Sequence, residues 1–209
     1  MGHEHKNRKV KNMEKTKVTV LGIGGGALRA INHLYENKPD NVKFIYINTD
    51  KQILEKAKTK QLLIGKDYTN GLGCAGDPDR GKRAAELSKE EIKNTINDAD
   101  LLFLIACLGG GTGTGGSVKI AEMAKELNIK TYALLTYPFS FEGKKRNSQA
   151  INGYTELVPL VEETFVIHNN ELLKTIDRRS LMSEAFQVVD KKIANEFLRI
   201  YRDEMRKCD

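Results

Sequence analysis

Residues 108–117 read LGGGTGTGGS, and six of the eight positions from 109 to 116 are glycine. An apolar run, LLFLIAC (101–107), leads into this stretch, and VKIAEMAKEL, with apolar positions at helical spacing, leads out of it. Glycine loses more backbone freedom on folding than any other residue, so such a loop is costly to order. A tight turn from strand to helix needs only one or two. The stretch therefore marks a strand–loop–helix unit whose bare backbone has a further purpose.

The rest of the chain repeats that unit. Runs with β-branched or aromatic content occur at KVTVLGI (17–23), VKFIYIN (42–48), LLFLIAC (101–107), KTYALLT (130–136) and TFVIH (164–168). Helical-period segments fall near 25–37, 80–97, 116–127 and 145–162, and a last helix is expected over about 180–205. Strands apolar nearly throughout, separated by helices, predict one α/β domain with a parallel sheet covered on both faces.

Charge excludes some partners. The chain of 209 residues carries a net charge of +6, but residues 1–17 hold six Lys/Arg against Glu4 and Glu14. The remaining surface is nearly neutral, so no DNA or RNA partner is expected, and residues 1–16 read as a basic, solvated arm. Its histidines, His3 and His5, are not expected to hold a metal. No apolar stretch of about 18 residues is present, so no transmembrane segment is expected. Three cysteines without ligand spacing point to a reduced, cytoplasmic chain rather than a disulfide framework.

In a parallel sheet, ligands bind where strands end and helices begin. Three loops at that edge stand out: GIGGGALRA (22–30), NTD (48–50) and the opening stretch. Glycine loops aimed at helix N-termini present unpaired N–H groups to an anion and no side chain to hold it off. Two such loops on neighbouring strands would wrap a nucleotide's phosphates, with hydroxyls from Thr112 and Thr114. GIGGGA (22–27) also fits a dinucleotide fingerprint, a weak signal alone. A nicotinamide oxidoreductase has no use for the second loop, and its ribose-binding acid would come slightly late, at Asp50. A P-loop would need a Lys that GGGTGTGGS lacks.

GGGTGTGG (109–116) resembles the signature loop of the tubulin/FtsZ superfamily. GIGGG, NTD, GLGCAGDPDRGKRAA (71–85), PFSFEGKKR (138–146), HNNELLK (168–174) and AFQVVD (185–190) follow the order and spacing of bacterial FtsZ over residues 17–200. The resemblance implies a Rossmann-like three-layer GTPase domain over 17–178, with a central-type helix, 179–209, closing the nucleotide site. It implies GTP or GDP as ligand, with magnesium carried on the phosphates and no protein ligand assigned to it.

Phosphate contacts are implied for Gly24, Gly25, Gly26, Gly109, Gly110, Gly111, Thr112, Gly113 and Thr114, and for Ala75 and Gly76 in the loop that senses the terminal phosphate. Glu142 and Arg146 stand four apart at a helix start; alone they would be an ordinary ion pair, and the resemblance makes them ribose and phosphate contacts. Phe186 and Asp190, also four apart, would otherwise be core and solvated positions. The resemblance makes Phe186 a stacking face and Asp190 the acceptor for guanine N–H groups, with Asn169 a further base contact. An ionised carboxylate favours guanine because adenine offers an acceptor where guanine offers N–H.

Two departures stand out. Ala27, Leu28 and Arg29 replace the family's usual Gly-x-Asn, and Arg29 either reaches a phosphate or lies on the helix surface. The resemblance also implies that hydrolysis requires a neighbour's Asn-x-Asp-x-x-Asp loop after the central helix, followed by a second domain; the sequence as read contains neither. No catalytic residue is assigned. The expectation is a GTP-binding domain of an FtsZ-like cytoskeletal cell-division protein, a fragment or a naturally short relative, with slow turnover alone. It would meet a full-length FtsZ-type subunit through its nucleotide face and block extension beyond. The alternative is a self-sufficient, filament-forming GTPase with catalytic groups elsewhere in the chain.

Overall fold

A computed structural model of the chain describes residues 16–172 and 182–207. Most of the basic arm and Cys208 lie outside those residues. Six parallel strands form one sheet in the order β3-β2-β1-β4-β5-β6. They are β1 (Val18–Ile23), β2 (Val42–Asn48), β3 (Lys60–Leu63), β4 (Leu101–Cys107), β5 (Lys130–Tyr137) and β6 (Glu163–His168). Five were expected from the apolar runs. The sixth, β3, was not: it is a four-residue edge strand, KQLL, paired only with β2 and nowhere fully buried. An edge position does not demand the apolar run that betrays a central strand.

Six principal helices flank the sheet: α1 (Leu28–Glu36), α2 (Pro78–Leu87), α3 (Lys89–Ile96), α4 (Ser117–Glu126), α5 (Lys144–Leu157) and α6 (Met182–Lys207). Asp77 caps α2 by accepting from the Asp79 N–H at 2.9 Å, with Pro78 in the first turn. The segment 80–97, expected as one helix, is broken into α2 and α3 at Ser88, whose hydroxyl accepts the Gly65 N–H at 2.9 Å. α5 ends earlier than expected, and a 3-10 turn containing Pro159 follows it.

Side-chain alternation along the strands divides the core between two faces. Val20, Phe44, Tyr46, Phe103 and Leu134 face α1 and α6; Leu21, Ile45, Ile47, Leu102 and Leu104 face the layer containing α2 to α5. Both faces are covered, so the three-layer α/β expectation holds. On the first face Phe197 of α6 is fully buried, edge-on to Phe103 at 4.9 Å between centroids. Burying one such side chain contributes about 1.5–3 kcal/mol, so α6 is part of the same core as the sheet.

The far end of α6 is pinned electrostatically. Glu204 accepts from Lys130 Nζ at 2.7 Å, Tyr132 OH at 2.9 Å and Lys207 Nζ at 2.6 Å. Burial would raise its carboxyl, but those three donors outweigh it and bring the pKa down to about 2. Among the described residues no helix is long and apolar enough to cross a membrane.

The strand order reverses between β1 and β4. Chains leaving these two strands depart to opposite faces and leave a crevice at their carboxyl ends. The two richest glycine loops open there.

Candidate functional site

The loops after β1 and β4 pack backbone to backbone. Gly24 takes φ 75°, its N–H donates to the Ile47 carbonyl at 2.9 Å, and its carbonyl accepts from Tyr46 OH at 2.9 Å. A Cβ on Gly24 would lie 2.6 Å from the Gly113 nitrogen. Within the longer loop, Gly109 takes φ 96° and donates to Thr114 Oγ1 at 2.8 Å. A π-helical turn, Thr112–Gly116, then feeds α4.

The glycines of this loop fall into two kinds. A Cβ would meet the Asp77 carbonyl oxygen at 2.8 Å from Gly111, the Cys107 oxygen at 2.5 Å from Gly113 and the Pro78 oxygen at 1.8 Å from Gly115. These three are required by the protein's own backbone. Gly110, by contrast, has nothing within 4 Å of its would-be Cβ, and neither has Gly76. Much of the bare backbone that drew attention in the sequence thus serves loop packing, and a smaller part faces open space.

Residues after β2 tie the loops together. Asn48 Oδ1 accepts the N–H groups of Thr49 at 2.8 Å and Asp50 at 3.2 Å. The hydroxyls of Thr49 and Thr112 lie 2.7 Å apart, and Cys74 Sγ approaches Thr49 Oγ1 at 3.4 Å. Asp50 caps the next turn through the Ile53 N–H at 3.0 Å. Loop 71–76 curls over this cluster with Gly73, Ala75 and Gly76 at φ 79°, 49° and 73°. Ala75 sits in the left-handed region at a cost of about 1 kcal/mol.

Side chains build the other end of the crevice. Phe186 and Asp190 come from the first turns of α6, and Asn169 opens a single turn after β6. Asn169 is 6% exposed, and its side-chain oxygen has no hydrogen-bond partner among the described residues. Arg29 Nε donates to Asp190 Oδ2 at 3.2 Å, and its guanidinium carbon lies 5.5 Å from the Phe186 ring centroid. Burial raises the Asp190 pKa, while the Arg29 charge opposes the rise. At the mouth, Glu142 accepts from Arg146 Nη1 at 2.5 Å and from the Phe139 N–H at 2.8 Å. These two residues pair as spacing suggested but do not share one helix: Gly143, at φ 103°, separates the 3-10 turn of Glu142 from α5.

All of this surrounds one cavity of about 530 Å³. Its wall includes Gly25, Gly26, Arg29, Ala75, Gly76, Gly110, Gly111, Thr112, Gly113, Glu142, Arg146, Asn169, Phe186 and Asp190. Of the residues singled out from the sequence, Gly24, Gly109 and Thr114 stand behind that wall. Thr114 is 2% exposed and its hydroxyl holds the Gly109 N–H, so it braces the loop instead of facing the cavity. The wall also contains Asn48, Cys107, Thr136, Val189 and Ile193, which sequence reading did not assign. Cys107 is the last residue of β4 and Thr136 the last but one of β5, and that position at the carboxyl edge was the available signal. Burial pushes the Cys107 thiol up to about 11 and keeps it protonated.

The sequence model of the Tubulin/FtsZ family, GTPase domain, matches residues 17–177. The chain belongs to the Tubulin/FtsZ family. The FtsZ dimer of M. jannaschii is 37% identical and superposes with a TM-score of 0.85 over 93% of this chain and 57% of its own. A mutant of the same FtsZ is 36% identical, with a TM-score of 0.84 over 96% of this chain and 60% of its own. CetZ2 from Haloferax volcanii shares the fold at 22% identity, with a TM-score of 0.81 over 91% of this chain and 59% of its own. The chain thus spans about three fifths of the length of these structures. In this Tubulin/FtsZ GTPase domain the crevice lies at the β1/β4 reversal, and Arg29 has left the α1 surface to cross to α6.

Proposed function

We propose that this domain binds GTP or GDP, with the phosphates against the loops after β1, β2 and β4 and the guanine against Phe186, Asp190 and Asn169. One observation carries the reading: the buried Asn169 oxygen, without a partner among the described residues, borders the same cavity as the glycine loops. An unsatisfied buried acceptor costs about 1–3 kcal/mol, and an N–H from the guanine edge would relieve it. The cavity volume, about 530 Å³, lies in the range of small-ligand sites. Gly110 and Gly76 leave room for phosphate oxygens near backbone N–H groups. Magnesium accompanies the phosphates. The related CetZ2 and CetZ1 were solved with GTPγS and GDP bound, respectively.

Within this reading the chain alone turns nucleotide over slowly. The described carboxylates lining the cavity are engaged already: Asp50 with the Ile53 N–H, Glu142 with Arg146 and the Phe139 N–H, Asp190 with Arg29. A water-activating group would then come from a neighbouring FtsZ-type subunit docked on the nucleotide face. Leu72, 78% exposed at the cavity, and Phe141, 64% exposed in the 3-10 turn beside Glu142, support such a contact. The domain would serve in a cytoskeletal, cell-division role in the cytoplasm.

Calorimetric titration with GTP, GDP, ATP and NAD tests the ligand. GTP and GDP should bind with ATP about 100-fold weaker or more; equal affinities, or tight NAD binding, would overturn the assignment. GTP turnover followed across protein concentration should stay flat and near zero. A rise steeper than proportional would show that the chain assembles and activates water itself.

A further inference from the structure

We propose that Arg29 is a specificity-determining residue of this site: in the free protein its guanidinium stands in for the base on Asp190 and Phe186, and guanine enters by displacing it. The inference rests on the guanine reading above and goes beyond it, because it assigns a role to a side chain at the far end of the site from the phosphates.

Arg29 and Asp190 lie 161 positions apart in sequence, on α1 and α6, and meet only because both helices cover the same face of the sheet. The Arg29 Nε donates to Asp190 Oδ2 at 3.2 Å, and the guanidinium carbon stands 5.5 Å from the Phe186 centroid. These are the two groups assigned to the guanine. The coincidence has a chemical basis: the N1–C2–N2 edge of guanine is itself a guanidine-type unit, planar and presenting adjacent N–H donors. A carboxylate beside an aromatic face suits either one.

The stand-in has a consequence for the empty site. Burial disfavours the charged form of Asp190 and raises its pKa, and the Arg29 cation opposes that rise while it occupies the carboxylate. The pair is open on one side only: the Arg29 side chain is 45% exposed and that of Asp190 13%. Fully exposed pairs contribute a factor of about 1.4 to 5 in equilibrium, and the sheltered carboxylate places this one toward the upper end. A displaced guanidinium also has room nearby, in an adjoining groove of about 390 Å³ lined by Asn32 and Gln187, by Glu36 paired with Lys58, and by His33 and Lys191.

The test compares the wild type with R29A, at about pH 8 so that the carboxylate is ionised in both. Position 29 lies in the first turn of a helix, where alanine is well tolerated. The probes are guanosine, which has no phosphate, and GDP, each by competition against a fluorescent GDP. R29A should bind guanosine about two- to fivefold tighter. Because guanosine is uncharged, its affinity for the wild type should rise as salt goes from about 0.05 to about 0.5 M and screens the ion pair, and the rise should vanish in R29A. Guanosine affinity that is unchanged or weaker in R29A, with no salt response in the wild type, overturns the inference while GDP binding still upholds the guanine site. A loss confined to GDP in R29A would likewise overturn it and move Arg29 to the phosphates. No guanine-nucleotide binding by either protein overturns the functional reading and the inference together.

Discussion

The two ends of the crevice are made of different material. At one end, loops after β1, β2 and β4 interlock through backbone atoms, and Gly111, Gly113 and Gly115 sit where a Cβ would strike carbonyl oxygens. At the other, Arg29, Asn169, Phe186 and Asp190 project from α1, α6 and a turn, and their side chains make the surface. Backbone packing has few alternatives, because moving one carbonyl moves a loop. A side-chain surface can be retuned one residue at a time, as Arg29 illustrates. The first end should therefore fail through stability, and the second through selectivity.

The sharpest way to break that contrast lies within the glycine loop. Gly115→Ala would drive a Cβ to 1.8 Å from the Pro78 oxygen and 2.8 Å from the Lys82 nitrogen, both backbone. We expect a loss of about 3 kcal/mol or more in denaturant unfolding. Gly110→Ala, with open space around its Cβ, should stay within about 0.5 kcal/mol of wild type. It should instead weaken GDP without affecting guanosine. Equal destabilisation by the two variants would erase the distinction between packing and ligand-facing glycines.

At the side-chain end, Asp190→Ala should leave the fold in place and weaken GTP by about 2–3 kcal/mol, roughly 30- to 160-fold. ATP binding should change little, since adenine does not offer the same N–H edge. Parallel losses for the two nucleotides, read by titration, would remove the base assignment.

The smallest effect concerns the anchor beneath the side-chain end. Glu204 holds the last turns of α6 to β5 through Lys130 and Tyr132. Glu204→Gln should cost about 1–2 kcal/mol of stability at neutral pH, with nucleotide selectivity unchanged. Its folded pKa, about 2, lies below the ordinary 4.5, so its contribution is complete above pH 4.5 and fades as pH falls toward 2. The stability gap between wild type and variant should accordingly narrow between about pH 5 and about pH 3. A gap independent of pH in that window would assign the effect to packing rather than charge.

Legibility followed the same divide. The strands that form the centre of the sheet are apolar because both faces are covered, and they could be read as runs, as could the edge strand β6; β3, four residues at the other edge, carries no such run. The start of α2 is set by adjacent residues, Asp77 as cap and Pro78 in the first turn, because capping is a local affair. Ser88, which ends that helix, gave no local sign, since its hydroxyl serves Gly65, 23 positions earlier. Thr114 reads in the sequence as a donor for phosphate; in the fold its hydroxyl accepts the Gly109 N–H behind the cavity wall, a placement set by which way its side chain turns within the loop.

The sequence by itself determined the α/β class, the parallel sheet, the glycine loops at its carboxyl edge and the family. Each rests on short-range pattern: hydrophobic period, capping, and glycine where backbone needs room. Only the tertiary structure decided which glycines serve packing and which face the cavity, that Asn169 keeps a buried oxygen without a partner among the described residues, and that Arg29 reaches Asp190. Those outcomes depend on distances between residues far apart in the chain, and such distances exist only once α1 and α6 have closed over the same face of the sheet.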